Sequence, residues 1–181
     1  MNYRIMPMAP EYIVSFREAS DAVFRESQMY GFFEAPSVEE VMRFVQVIMK
    51  NKDLQFVALV DERVIGWCDV LAKPRPAMRH SGVLGIGVLR NYRGKGVGTA
   101  LLQATLAAAH ARGLTRIELF VRADNDGAKR LYEKVGFTIE GRLRNHMRRG
   151  DIYRDSYVMS LLYDEKETTS RDASRMDSDR P

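Results

Sequence analysis

Apolar positions along this 181-residue chain change period several times, and each change marks an expected element. Residues 3–8 read as a short strand. From Pro10, which suits the first turn of a helix, Ile13, Phe16, Ala19, Val23 and Phe24 recur near helical spacing and predict a helix to about Glu26. Residues 28–36 hold Tyr30, Phe32 and Phe33 without a period and read as an aromatic loop. Ser37, with Glu40 three positions on, forms a capping box for a second helix whose stripe is Val41, Phe44, Val45 and Ile48.

Two β-rich runs follow, 54–60 and 64–71, turning at Asp61-Glu62-Arg63 as a hairpin. A loop with two prolines, 73–79, leads to an apolar strand through Gly85, Ile86, Gly87 and Val88. The next helix keeps Leu101, Leu102, Thr105, Leu106 and Ala109 on one side and ends near Arg112, with Gly113 as its C′ residue. Residues 116–121 predict a strand and 125–135 a helix stopped by Gly136. Residues 137–147 and 153–162 predict a last hairpin about Arg148-Arg149-Gly150-Asp151. Beyond that, 163–181 is almost devoid of apolar side chains and cannot offset its ordering entropy, so a disordered tail is expected after a single domain at 1–162.

Composition narrows the class. Apolar residues make up 45% and charged residues 29%, as in ordinary globular domains. The longest uncharged run, 96–111, carries polar residues at helical spacing and predicts no membrane partner, and no secretory signal is legible, so a cytoplasmic location is expected. Cys68 is the single cysteine, which excludes a multi-cysteine zinc site, and no metal is expected. On the predicted strand 64–71, Trp67 and Cys68 read as packing residues. The 28 basic and 24 acidic residues leave a net charge of +4, too modest and too interrupted for a nucleic-acid surface but suited to a polyanionic ligand.

That ligand has an expected place. Gly94, Gly96 and Gly98 stand between an apolar strand and a helix, with Arg93 and Lys95 among them. Residues without a Cβ let a ligand approach the backbone, and the first amides of the helix favour negative charge. A phosphate or diphosphate is the expected occupant. No lysine precedes Thr99 as a Walker loop requires, and glycines spaced by two do not make the dinucleotide fingerprint.

Arg93 to Gly98 spell R-x-x-G-x-G, and downstream stand Asn125, Tyr132 seven residues later, then Gly136 and Phe137. In order and spacing these two motifs resemble the GCN5-related N-acetyltransferase (GNAT) superfamily over residues 54–162. The resemblance implies an α/β (α+β) fold with a mixed, mostly antiparallel sheet of about seven strands, splayed at the fourth and fifth and flanked by about four helices. It implies acetyl-CoA as acetyl donor, with Ile86, Gly87 and Val88 meeting the pantetheine arm. Arg93, Gly94, Lys95, Gly96, Val97, Gly98 and Thr99 would form the pyrophosphate loop, and Asn125 would orient the coenzyme arm or serve as a plain N-cap. Tyr132 would protonate the departing thiolate, and the Val88 amide would hold the oxyanion.

The resemblance further implies direct attack by a neutral amine in a ternary complex. Ribosomal-protein acetyltransferases carry a glutamate base five residues before the asparagine, where this chain has Phe120. Glu118 lies on the same face of that strand and is the candidate base, acting through water, or else a structural carboxylate. Phe32, Phe33 and Phe120 are candidate walls of the acceptor pocket. The expected acceptor is a small amine, in particular a free amino acid, whose carboxylate has Arg75, Arg79, His80 and Arg142 as candidate cations. The alternatives are a polyamine, with Glu26, Glu34, Glu39 and Glu40 nearby, a protein N-terminus, or a non-catalytic acyl-CoA-binding module. The closing hairpin offers a candidate homodimer surface.

Overall fold

A computed structural model describes residues 1–27, 32–51 and 54–163. Positions 28–31 of the expected aromatic loop and the expected tail at 164–181 lie outside the described residues. Seven strands form one sheet in the order β1-β2-β3-β4-β5-β7-β6: β1 (Arg4–Pro7), β2 (Leu54–Val60), β3 (Arg63–Ala72), β4 (Ser81–Val88), β5 (Arg116–Arg122), β6 (Thr138–Arg149) and β7 (Ile152–Leu162). Four α-helices flank it: α1 (Ile13–Ser27), α2 (Val38–Asn51), α3 (Val97–Ala111) and α4 (Asp126–Lys134). All neighbours are antiparallel except β4 and β5, whose parallel pairing covers only Ser81 to Val83 against Arg116 to Glu118. Beyond Val83 the two strands part. This is the expected splay.

The side-chain pattern divides the core between the two faces of the sheet. On one face α3 and α4 bury Val97, Leu101, Leu102, Leu106 and Tyr132 against Ile117, Leu119 and Val121 of β5. On the other, Phe16, Val23 and Phe24 of α1 and Val41 and Val45 of α2 pack on Val57, Leu59 and Trp67. Phe16 and Phe24 meet the Trp67 indole edge-on, at centroid distances of 5.4 and 6.0 Å. Cys68 is fully buried and its thiol is pushed up by desolvation, which fits packing and not nucleophilic chemistry.

Local signals end the helices where expected. The Glu40 amide donates to Ser37 Oγ at 3.2 Å and the Ser37 amide to Glu40 Oε2 at 2.9 Å, a complete capping box. Gly113 and Gly136 take φ of +82° and +101° at the ends of α3 and α4. One expectation for α2 fails: Phe44 is exposed, and the buried stripe is Val41, Val45 and Ile48. An interval of three from Val41 overlaps the helix edge, and the period alone does not say how wide the covered stripe is.

Outside the site, Glu140 of β6 accepts two bonds from Arg116 and one from Ser160 Oγ at 2.6 Å. Arg116, then the Ser160 hydroxyl, hold its carboxyl from the ordinary 4.5 down to about 2. A depressed carboxylate adds stability above its unfolded pKa that is lost as pH falls through the folded one. Thermal denaturation between about pH 4.5 and 2 should therefore show Glu140→Gln losing less Tm on acidification than the parent. The difference is expected to be small, since solvent screens the pair. Parallel Tm slopes would mean that the Arg116 pair contributes nothing.

Candidate active site

The turn from β4 to α3 builds an anion cradle out of backbone. Gly94 and Gly96 sit at φ +70° and +84°, where a side chain is strained, and Gly96 caps α3 with no side-chain bond. The Ala100 amide returns to Gly96 O at 3.0 Å. The amides of Val97, Gly98 and Thr99 are thus left without an intrahelical acceptor at the positive end of a 15-residue helix. A cavity of about 660 Å³ opens over this turn and runs along β4 past Ile86, Gly87 and Val88 to Asn125 and Tyr132. Its size and its run of backbone donors fit a diphosphate carrying a long, thin arm.

Register decides what β4 offers. Leu89 N donates to Ile65 O at 2.9 Å, and Val88 pairs with Gly66. Bonded and non-bonded pairs alternate in an antiparallel ladder, so Val88 belongs to a non-bonded pair and its polar groups face away from β3, into the splay. Its carbonyl accepts from Arg93 Nε at 2.8 Å, while its N–H is turned to the gap. Gly87 has a separate reason to be glycine: an added Cβ would stand 2.2 Å from the Trp67 ring. The indole floor and the absent side chain are one fitted pair.

Asn125 is the N-cap of α4, its Oδ1 accepting from the Ala128 amide at 3.2 Å, and it also borders the donor cavity. Both readings of Asn125 therefore have support. Tyr132, two turns on, packs at 6.0 Å from Phe137 and is 5% exposed. Its hydroxyl bonds to no protein group among the described residues. Burial, then the neighbouring Cys68, push its pKa up, so the phenol keeps its proton. Tyr132 lines the donor cavity and also a second one on the far side.

The second cavity, of about 990 Å³, lies between the parted strands and the last hairpin. Phe33 and Phe120 line it; Phe120 rests 5.3 Å from His146, and the Arg149 guanidinium lies 5.2 Å over the Phe33 ring. Phe32 instead stacks on Phe24 at 5.3 Å and is absent from the described lining. Arg122, Arg148, Arg149 and Arg154 supply the charge, and no aspartate or glutamate is among the described lining residues.

Several expected partners are engaged elsewhere. Arg93 borders the donor cavity, but its guanidinium bonds both oxygens of Glu26 at 2.9 and 3.0 Å. Lys95 stands 5.9 Å over the Tyr92 ring, and the Val97 side chain is buried, which leaves Val97 its amide alone. Glu118 pairs with Lys73 at 2.6 Å and Arg116 at 3.6 Å and lines neither cavity. Arg75, Arg79, His80 and Arg142 line neither, and Arg142 holds Asp155 at 2.7 Å. Of the acidic residues, Glu26 serves Arg93, Glu34 serves Arg25, and Glu40 the Ser37 amide. Conversely, Arg130 and Lys134 line the donor cavity without having been expected there. Their i,i+4 spacing on the helix that Asn125 opens is the signal that identifies them.

No helix among the described residues is long and apolar enough to cross a membrane. Residues 15–137 match the family model described as Acetyltransferase (GNAT) family. An L-amino acid N-acetyltransferase, AaaT, of Escherichia coli (strain K12) is 34% identical over 109 residues, 60% of this chain and 67% of that one. An N-alpha-acetyltransferase of Sulfurisphaera tokodaii is 35% identical over 126 residues, 65% and 74% of the two chains. Among solved structures, yncA, a putative acetyltransferase from Salmonella typhimurium with its cofactor acetyl-CoA, superposes with a TM-score of 0.84 at 16% identity, covering 90% of this chain and 95% of that one. At that identity the match shows the shared fold. The chain belongs to the GNAT family of acetyltransferases, and it is an N-acetyltransferase that draws its acetyl group from acetyl-CoA.

Proposed function

We propose that the acceptor is the amine of a free amino acid, acetylated directly in a ternary complex. The observation that carries this reading is Tyr132, a buried and protonated phenol that borders the donor cavity on one side and an arginine-lined cavity on the other. Acetyl-CoA supplies the activated acetyl thioester. The amides of Val97, Gly98 and Thr99 hold its pyrophosphate, and Arg130 and Lys134 add cations along the same cavity. The Val88 N–H stands where an acyl oxygen gaining negative charge needs a donor. Tyr132 gives its hydroxyl proton to the leaving sulfur and regains one from the nitrogen that has formed the amide, so the phenol ends as it began.

The acceptor must arrive as a neutral amine, although free amines of pKa about 10 are protonated at neutral pH. Like charges disfavour the ammonium, so the four arginines of the acceptor cavity lower its pKa without a dedicated carboxylate base. Glu118, held by Lys73 and Arg116, is then a structural carboxylate. On this reading Glu118→Gln keeps the rise of rate with pH; a pH-rate profile that loses this slope would return the base role to Glu118. The same cations disfavour polyamines. The amino-acid activity named for the Escherichia coli relative supports the choice, and the N-alpha-acetyltransferase relative supports a protein N-terminus as second reading. Thiol release across free amino acids, spermidine and N-terminal peptides tests the proposal: amino acids should turn over fastest, and a panel led by spermidine or by peptides would overturn it.

A further inference from the structure

We propose that Glu26, in the last turn of α1, is a positioning residue for acetyl transfer: through Arg93 it sets the direction of the Val88 peptide groups in the parted sheet. This rests on the direct-transfer reading above, with the Val88 N–H as donor to the acyl oxygen, and adds what holds that donor in place. The contacts form a relay. Arg93 Nε donates to Val88 O at 2.8 Å, and its two terminal nitrogens donate one each to Glu26 Oε1 and Oε2, at 2.9 and 3.0 Å. A planar fork on a carboxylate fixes direction as well as charge. Arg90 adds only a longer contact to the same carboxylate, at 3.9 Å.

Val88 needs such a hold because it ends β4, past Val83, where pairing with β5 stops. In an extended strand the N–H and C=O of one residue point the same way, so fixing the carbonyl also aims the amide. No described strand offers that carbonyl a partner, and Arg93 supplies one. Yet Arg93 also borders the donor cavity, where a diphosphate competes for the same guanidinium. If Arg93 turned to the phosphates, Val88 would lose its hold. Glu26 opposes this by occupying both terminal nitrogens. The same helix reaches the end of β4 a second time: Phe24 meets Trp67 edge-on at 6.0 Å, and that ring fills the space a Cβ on Gly87 would take. The helix, not the coenzyme, therefore sets where the last two residues of β4 point.

The test compares the full chain with Glu26→Ala, Arg93→Ala and the double variant. Acetyl-CoA affinity is read by intrinsic fluorescence, and turnover by thiol release with a mixture of the twenty amino acids as acceptor. Removing one oxyanion donor costs about 10²–10³ in kcat and misdirecting it a part of that, so Glu26→Ala should lose about 10–100-fold. Its acetyl-CoA dissociation constant should hold or fall, because the freed Arg93 turns to the diphosphate. A residue that merely supports the fold would not separate the two quantities. The double variant should be no slower than Arg93→Ala alone, since both changes break one relay, and Glu26→Gln, which keeps one acceptor oxygen, should recover part of the loss. Full turnover by a folded Glu26→Ala overturns the proposal, as does a parallel loss of turnover and donor affinity. Val88→Pro deletes the N–H at no cost in ladder bonds and isolates the reading beneath. A folded Val88→Pro with normal turnover overturns the oxyanion role of Val88, whereas a slow Val88→Pro beside a normal Glu26→Ala overturns the relay alone. No thiol release by the parent on the mixture would overturn the amino-acid acceptor, and the same comparison on spermidine and an N-terminal peptide then decides the relay.

Discussion

Tyr132→Phe is expected to lower kcat by about 10²–10⁴-fold, the range ordinarily lost with a positioned proton donor. The dissociation constant of acetyl-CoA should stay within about threefold, because the phenyl ring keeps its packing and only the hydroxyl is removed. The substitution is a clean probe for a structural reason. The hydroxyl bonds no described protein group, so its loss leaves no buried partner unsatisfied, and the ring still rests against Phe137. Titration of acetyl-CoA by intrinsic fluorescence, with turnover measured on the same preparation, separates the two quantities. Retained turnover would return Tyr132 to the core as a packing residue. A parallel fall in turnover and in donor affinity would make it a wall of the cavity.

Gly96→Val should abolish most donor binding while leaving the fold in place. A β-branched residue at φ +84° is strained by about 1–3 kcal/mol, and its Cβ would stand 3.5 Å from the Tyr3 hydroxyl, so the turn that presents the α3 amides must shift. Affinity for acetyl-CoA should fall by about 10²-fold or more. At 100 times its dissociation constant a ligand stabilises by about 2.7 kcal/mol through mass action, so the parent should show a plain rise in Tm that the variant lacks. Circular dichroism of the variant guards against simple unfolding. An undiminished shift would mean that the glycine loop is not where the pyrophosphate sits.

Elements of this chain were legible where the physics is local. The Ser37 and Glu40 box, the glycine stops of α3 and α4 and the alternation along β5 each involve residues within a few positions of one another. The glycine turn that opens α3 was legible for the same reason, since its amides belong to one continuous segment. The ion pair of Arg93 was not legible, because its carboxylate, Glu26, lies 67 residues away and nothing in either segment signals the pairing. The arginines that line the second cavity were hidden likewise. Arg75, Arg79 and Arg142 are as basic as Arg149 and Arg154, and only the return of β7 between β5 and β6 decides which arginines face the parted strands. Glu118 was read correctly for its face but not for its neighbours: it sits where β4 still pairs with β5, one step before the gap opens.

That gap has a consequence for the economy of the enzyme itself. Among the described residues, the three-residue seam between β4 and β5 is the sheet's only parallel join, and past it the polar edge of Val88 looks toward β5 with no described strand beside it. A donor lying in this opening ties the two halves of the sheet together as a removable strand, in the manner of peptides that add to a sheet edge. Binding and folding then draw on the same free energy. Saturating acetyl-CoA should therefore slow proteolysis of the folded chain in step with its occupancy.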